Sequence, residues 1–100
     1  MIFSQFLSLC AQDSATPPEE LTPELQVLFH SKQGNWESAH DIAQDLPGTN
    51  GAWLHAFLHR EEGDLWNADY WYQNAGKITP NEDFSLEKEW KSLAQHFCKP

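Results

Sequence analysis

Two histidines, His55 and His59, stand one helical turn apart in the segment HAFLH, and Glu62 follows three residues later. At i, i+4 and i+7 of a helix these side chains share one face. Two imidazoles and a carboxylate form a ligand set that zinc accepts. Hydrolysis would lack its base in the usual place, because no glutamate directly follows His55 as it does in zinc-protease helices. A second reading makes His59 structural, a histidine that caps the neighbouring helix. Zinc is the only cofactor these residues suggest. The chain contains no phosphate-cradling glycine loop, no GxSxG elbow and no catalytic cysteine–histidine spacing. An interaction protein is therefore expected ahead of an enzyme, and the alternative, a metal-binding or metal-dependent hydrolytic protein, rests on His55, His59 and Glu62 alone.

The bulk composition narrows the partners. One hundred residues make one domain with a single core, and five Trp, six Phe and two Tyr supply large apolar surfaces for it. Fifteen acids against six Lys and Arg leave a formal charge of −9, which repels phosphate backbones and anionic lipid. Nucleic acid and membrane are therefore not expected partners. Cys10 and Cys98 have no neighbouring metal-ligand or CxxC partner and read as free thiols in a reducing compartment. The opening segment MIFSQFLSLCAQDS lacks a positive start and a clean cleavage site, so the chain reads as cytoplasmic.

The elements that must position the histidines are helices. Phe3, Phe6, Leu7 and Cys10 recur at helical spacing, and SATPPEE, residues 14–20, then breaks the helix. Thr22, Pro23 and Glu24 start the next helix with a hydroxyl cap, a first-turn proline and an acid at the positive dipole end. Leu21, Leu25, Leu28 and Phe29 form its apolar stripe, which ends at Gly34. A further helix is predicted from Asn35 to about Leu46, and Pro47 to Gly51 reads as a loop. Helices follow over Ala52–Glu62 and Leu65–Gly76, and a last one carries Leu86, Trp90, Leu93, Ala94 and Phe97. No segment sustains strand alternation, so the fold class is all-α. Residues 1–20 form an N-terminal helix and linker, 21–80 two hairpins, and 81–100 a C-terminal helix.

Gly34 and Gly63 define an offset of 29 residues that also places His30 on His59, Ala39 on Ala68 and Gln44 on Gln73. The glycine allows a tight turn between antiparallel helices, and the alanine lets the second helix approach the first. In GDLWNADYWYQNAGKITP, Gly63, Ala68, Tyr72, Ala75 and Pro80 fall in the order of small, aromatic and proline positions of a tetratricopeptide-type hairpin, which the segment resembles. The cluster HREEGDLWNADYWY also resembles a small bacterial family with no established activity. The first resemblance implies antiparallel helical hairpins with a short N-terminal and a longer C-terminal capping helix, working as a protein or peptide interaction module.

Two surfaces are candidates for that role. On the Leu65–Gly76 helix, Leu65, Ala68, Trp71, Tyr72 and Ala75 share the core face, whereas Trp66 and Tyr70 project from the opposite side, flanked by Asn67 and Asn74. Those two aromatics either pack beneath the C-terminal helix, beside Trp90 and Phe97, or form an exposed patch for another protein or a second copy of the chain. Glu37 and Asp41, with Gln44 and Asp45, form an acidic stripe beside His40, either solvated or suited to a basic peptide. Arg60, the single arginine, is expected to bridge the Ala52–Glu62 and Leu65–Gly76 helices through a carboxylate.

Overall fold

The computed structural model describes residues 1–12 and 16–98, so Ser14 and Ala15 of the expected breaker lie outside the described residues, as do the last two residues of the C-terminal segment. Among the described residues there are six helices and no strand. They are α1 (Phe3–Cys10), α2 (Pro23–Lys32), α3 (Trp36–Asp45), α4 (Gly48–Glu61), α5 (Leu65–Asn74) and α6 (Leu86–Phe97). None is long and apolar enough to cross a membrane.

Helices α2 and α3 form one antiparallel hairpin and α4 and α5 another, with α3 also packed against α4. The two units repeat in detail. Lys32 and Glu61 end the first helices, and Gly34 and Gly63 follow with φ of 78° and 87°, a left-handed turn that glycine adopts without strain. The amides of Asn35 and Asp64 then return to the carbonyls of His30 and His59, each at 2.9 Å. Asn35 and Asp64 next cap α3 and α5, accepting from the amides of Ser38 and Asn67. Ala39 and Ala68, both fully buried, sit where each second helix crosses the first.

α2 and α4 are the inner helices. α2 buries six consecutive-face residues from Leu25 to Ser31, and α4 buries Leu54 through His59 without interruption. A helix enclosed on all sides needs no polar stripe, which is why α4 can carry Leu54, Phe57 and Leu58 on one flank and His55 and His59 on another. α6 lies against both inner helices. Its Trp90 donates to the Leu28 carbonyl at 3.0 Å and stacks on Phe6 of α1 at 5.8 Å. Phe97 is tilted against Trp53 at 6.2 Å. Cys10 and Cys98 are free thiols, and burial pushes Cys10 up to about 11.

The structure departs from the sequence expectation at three places. The stretch Pro47–Gly51 is not a loop, because α4 begins at Gly48 with Pro47 as its N-cap. Gly51 is buried there, and an added Cβ would lie 2.1 Å from the Leu46 carbonyl oxygen. This glycine therefore serves close packing between the end of α3 and the start of α4. Leu65, expected in the core, is 60% exposed. Arg60 does not join α4 to α5: its Nη1 pairs with Glu89 of α6 at 2.8 Å, and its Nη2 donates to the carbonyl of Phe84. The Tyr72 hydroxyl completes the junction at 2.7 and 2.6 Å from the two Glu89 oxygens. Burial first, and Glu89 next, hold the Tyr72 phenol well above its usual range. The buried Tyr72 and Glu89 and the half-buried Arg60 thus satisfy one another at the α4–α5–α6 junction.

Candidate functional site

The side chains with the most chemical potential meet between the two hairpins. α4 carries His55 and His59 one turn apart, and α3 contributes His40. One ligand atom from each of His40, His55 and His59 lies within 4.8 Å of the others. His40 Nε2 and His55 Nε2 are 3.0 Å apart, so one nitrogen donates and the other accepts. Tetrahedral bonds of about 2.0–2.1 Å would place such nitrogens roughly 3.3 Å apart. A metal ion would need the widest pair to draw in by at most about 1.5 Å, a small side-chain rotation.

Two indoles hold the rings in place. Trp36 stacks on His40 with centroids 4.7 Å apart, and Trp71 stacks on His55 at 4.1 Å. Trp36 is itself fixed because its Nε1 donates to the Leu58 carbonyl at 2.7 Å. His55 and His59 are 8% and 7% exposed. Burial, with His40 and His59 adding to it, pushes His55 down to about 4. It is therefore an uncharged imidazole at neutral pH, the form that coordinates a metal.

Glu62 takes a different place from that of a third ligand beside His55. Its Oε1 lies 2.9 Å from His59 Nδ1. A carboxylate only accepts, so Nδ1 is the donor, and in a neutral imidazole Nε2 is then the nitrogen left for a ligand. This is the arrangement in which an outer carboxylate fixes the tautomer and raises the basicity of a metal-binding histidine. His59, Glu62 and Asp64 form a second group of donor atoms within 4.8 Å. Asp64, however, is occupied in capping α5 through the Asn67 amide.

His40 is not evident as a site residue in the sequence because it stands beside the acidic stripe of Glu37, Asp41, Gln44 and Asp45. The signal lay in the spacing of Trp36, Ala39, His40 and Ala43, which at i, i+3, i+4 and i+7 place His40 on the face turned toward α4. Trp71, read as core packing, proves to be the wall behind His55.

The proposed interaction residues lie elsewhere. Trp66 and Tyr70 are 81% and 53% exposed and do not pack beneath α6. They line a shallow depression with Asp69 and Gln73. Asn67 is drawn into the α5 cap, its Nδ2 donating to Asp64 at 3.2 Å, and Asn74 donates to the Tyr70 carbonyl at 2.8 Å. Glu37 and Asp41 are exposed on α3. A cleft of about 400 Å³ opens between the end of α3, the start of α4 and α5, lined by His55, Trp71, Asn74, Gln44 and Thr49 among others. Comparison of the chain with family models, with curated proteins and with solved structures gave no match.

Proposed function

We propose that the protein binds one transition-metal ion, of the zinc class, through His40, His55 and His59. The observation that carries this reading is the convergence of three imidazoles, two buried and His40 half-buried, from two helices of different hairpins. An imidazole set of borderline softness suits zinc, copper or nickel over magnesium or calcium. Glu62 acts one step out, orienting His59. The module is a binder, with no catalytic step assigned to it, and its two free thiols suit a reducing, cytoplasmic setting.

Metal analysis after chelation and reloading tests the proposal. One zinc per chain is expected, and it is lost in each of His40→Ala, His55→Ala and His59→Ala. Glu62→Gln retains the ion but binds it about 10–100-fold more weakly. Folded wild-type protein that takes up no zinc would exclude the site. Full retention in His40→Ala, with loss in Glu62→Ala, would restore the ligand set of His55, His59 and Glu62.

A second reading rests on the exposure of Trp66. An indole 81% open to water beside a half-open tyrosine is what an interface anchor looks like before its partner arrives. In this reading the tetratricopeptide-like hairpins present α5 to another protein or to a second copy. Sedimentation over a concentration series, with Trp66→Ala as the comparison, tests the self-association form. A wild type that stays monomeric throughout excludes it.

A further inference from the structure

The metal reading leaves an electrostatic remainder. Imidazole ligands bring no negative charge to a divalent ion, and the Glu62 carboxylate is engaged on Nδ1 of His59. Two positive charges held between the buried His55 and His59 and the half-buried His40 are costly unless a counter-charge joins them. Three ligands also leave a fourth tetrahedral position.

The surroundings differ sharply on the two sides of the triad. On the Trp36 side lies a recess of about 290 Å³ formed with Ser31, Gly34, Glu61 and Glu62, whose two carboxylates repel an anion. On the Trp71 side lies the cleft of about 400 Å³, whose wall includes His55 and no acidic residue. That is notable on a chain of net charge −9. The cleft is also walled by the first turn of α4, through Gly48, Thr49, Gly51 and Ala52. This helix of 14 residues has no acid in its first turn and no side-chain cap, so the positive end of its dipole is uncompensated. Its volume is that of a small-ligand site.

We propose that the His40–His55–His59 ion takes its fourth ligand from the 400 Å³ cleft, and that this ligand is a small anion of carboxylate size. This inference rests on the metal reading, and His55 is the residue that belongs to both the triad and the cleft. The anion binds the ion at one end and lies along the first turn of α4, with the Trp71 indole as its apolar wall. Gln44, which lines the cleft, can donate a hydrogen bond to it, whereas the Asn74 amide is engaged with the Tyr70 carbonyl.

Cobalt(II) substitution separates the two proposals, using azide and acetate as probes. The expected result is a visible cobalt spectrum of tetrahedral intensity, whose bands shift saturably with either anion. Thr49→Asp is the discriminating variant, since an acid at this second helical position favours the helix while placing a carboxylate in the cleft. It should keep cobalt and weaken both anions about tenfold. Bound cobalt with bands that neither anion moves would overturn the anion inference and leave the metal site standing. Equal anion affinity in wild type and Thr49→Asp would remove the ligand from the cleft and overturn it as well. If folded protein takes up no cobalt and no zinc, the metal reading fails, and this inference with it.

Discussion

The two hairpins share boundaries, caps and glycine turns, yet they differ at nearly every position that could do chemistry. His30 of α2 is the counterpart of His59 of α4, and both are buried. His59 donates a hydrogen bond from Nδ1 to Glu62, whereas the residue three places after His30 is Gln33, whose Nε2 donates to the Cys10 carbonyl at 2.6 Å. Nδ1 of His30 is left without a hydrogen-bond partner, and burial lowers its pKa. On the second helices, Trp36 is covered by α4 while its counterpart Leu65 stands open, and the exposed Glu37 and Asp41 correspond to the exposed Trp66 and Tyr70. The repeat fixes where helices turn and cross. What each position does is decided by the neighbour that covers it.

The largest expected break in the comparison is at Arg60 and its counterpart Ser31. Arg60→Ala strands the buried Glu89 carboxylate and should cost about 3–5 kcal/mol, read as a drop of more than about 10 °C in melting temperature. Ser31→Ala removes one hydrogen bond, to Glu61 at 2.9 Å, and should cost about 1 kcal/mol. Equal losses would mean that the second hairpin is tied to α6 no more firmly than the first is to its neighbour.

Acid sharpens the contrast at the triad. His55 titrates near 4 when folded and near 6.5 when unfolded, so between those values the unfolded chain binds more protons. Metal-free stability contributed by neutral His55 is therefore complete above about pH 6.5 and is lost as the pH falls toward 4, by up to about 3 kcal/mol. Urea midpoints at pH 7 and pH 4.5 measure it. His55→Gln should remove most of the acid-dependent loss, and an unchanged pH profile in that variant would assign the loss to other groups. The smallest effect belongs to Trp66→Ala, which should leave stability within about 0.5 kcal/mol because the ring is already in water. A larger cost would show that α5 is covered in solution.

The hairpins were legible because Gly34 and Gly63, each followed by a capping residue and then a close-packed alanine, are local signals. The start of α4 was not, since Pro-Gly-Thr-Asn-Gly has turn composition, and only the approach of the Leu46 carbonyl explains Gly51. His55 and His59 announce themselves by their spacing on one helix. His40 depends on how α3 docks on α4, and Glu89 reaches Arg60 from 29 residues away. The period of α3 places His40 on its inner face, but which side chains it meets there is written in the docking of α4 and not in either helix alone.

The stack of Phe6 on Trp90, described with α6, joins opposite ends of the chain. Closing so long a loop costs more entropy than folding either hairpin, whose contacts are local. This clasp should be the last part of the molecule to assemble and the first to open, with amide protons of α1 exchanging well before those of α4. The tryptophan that seals the core is thus also its slowest arrival.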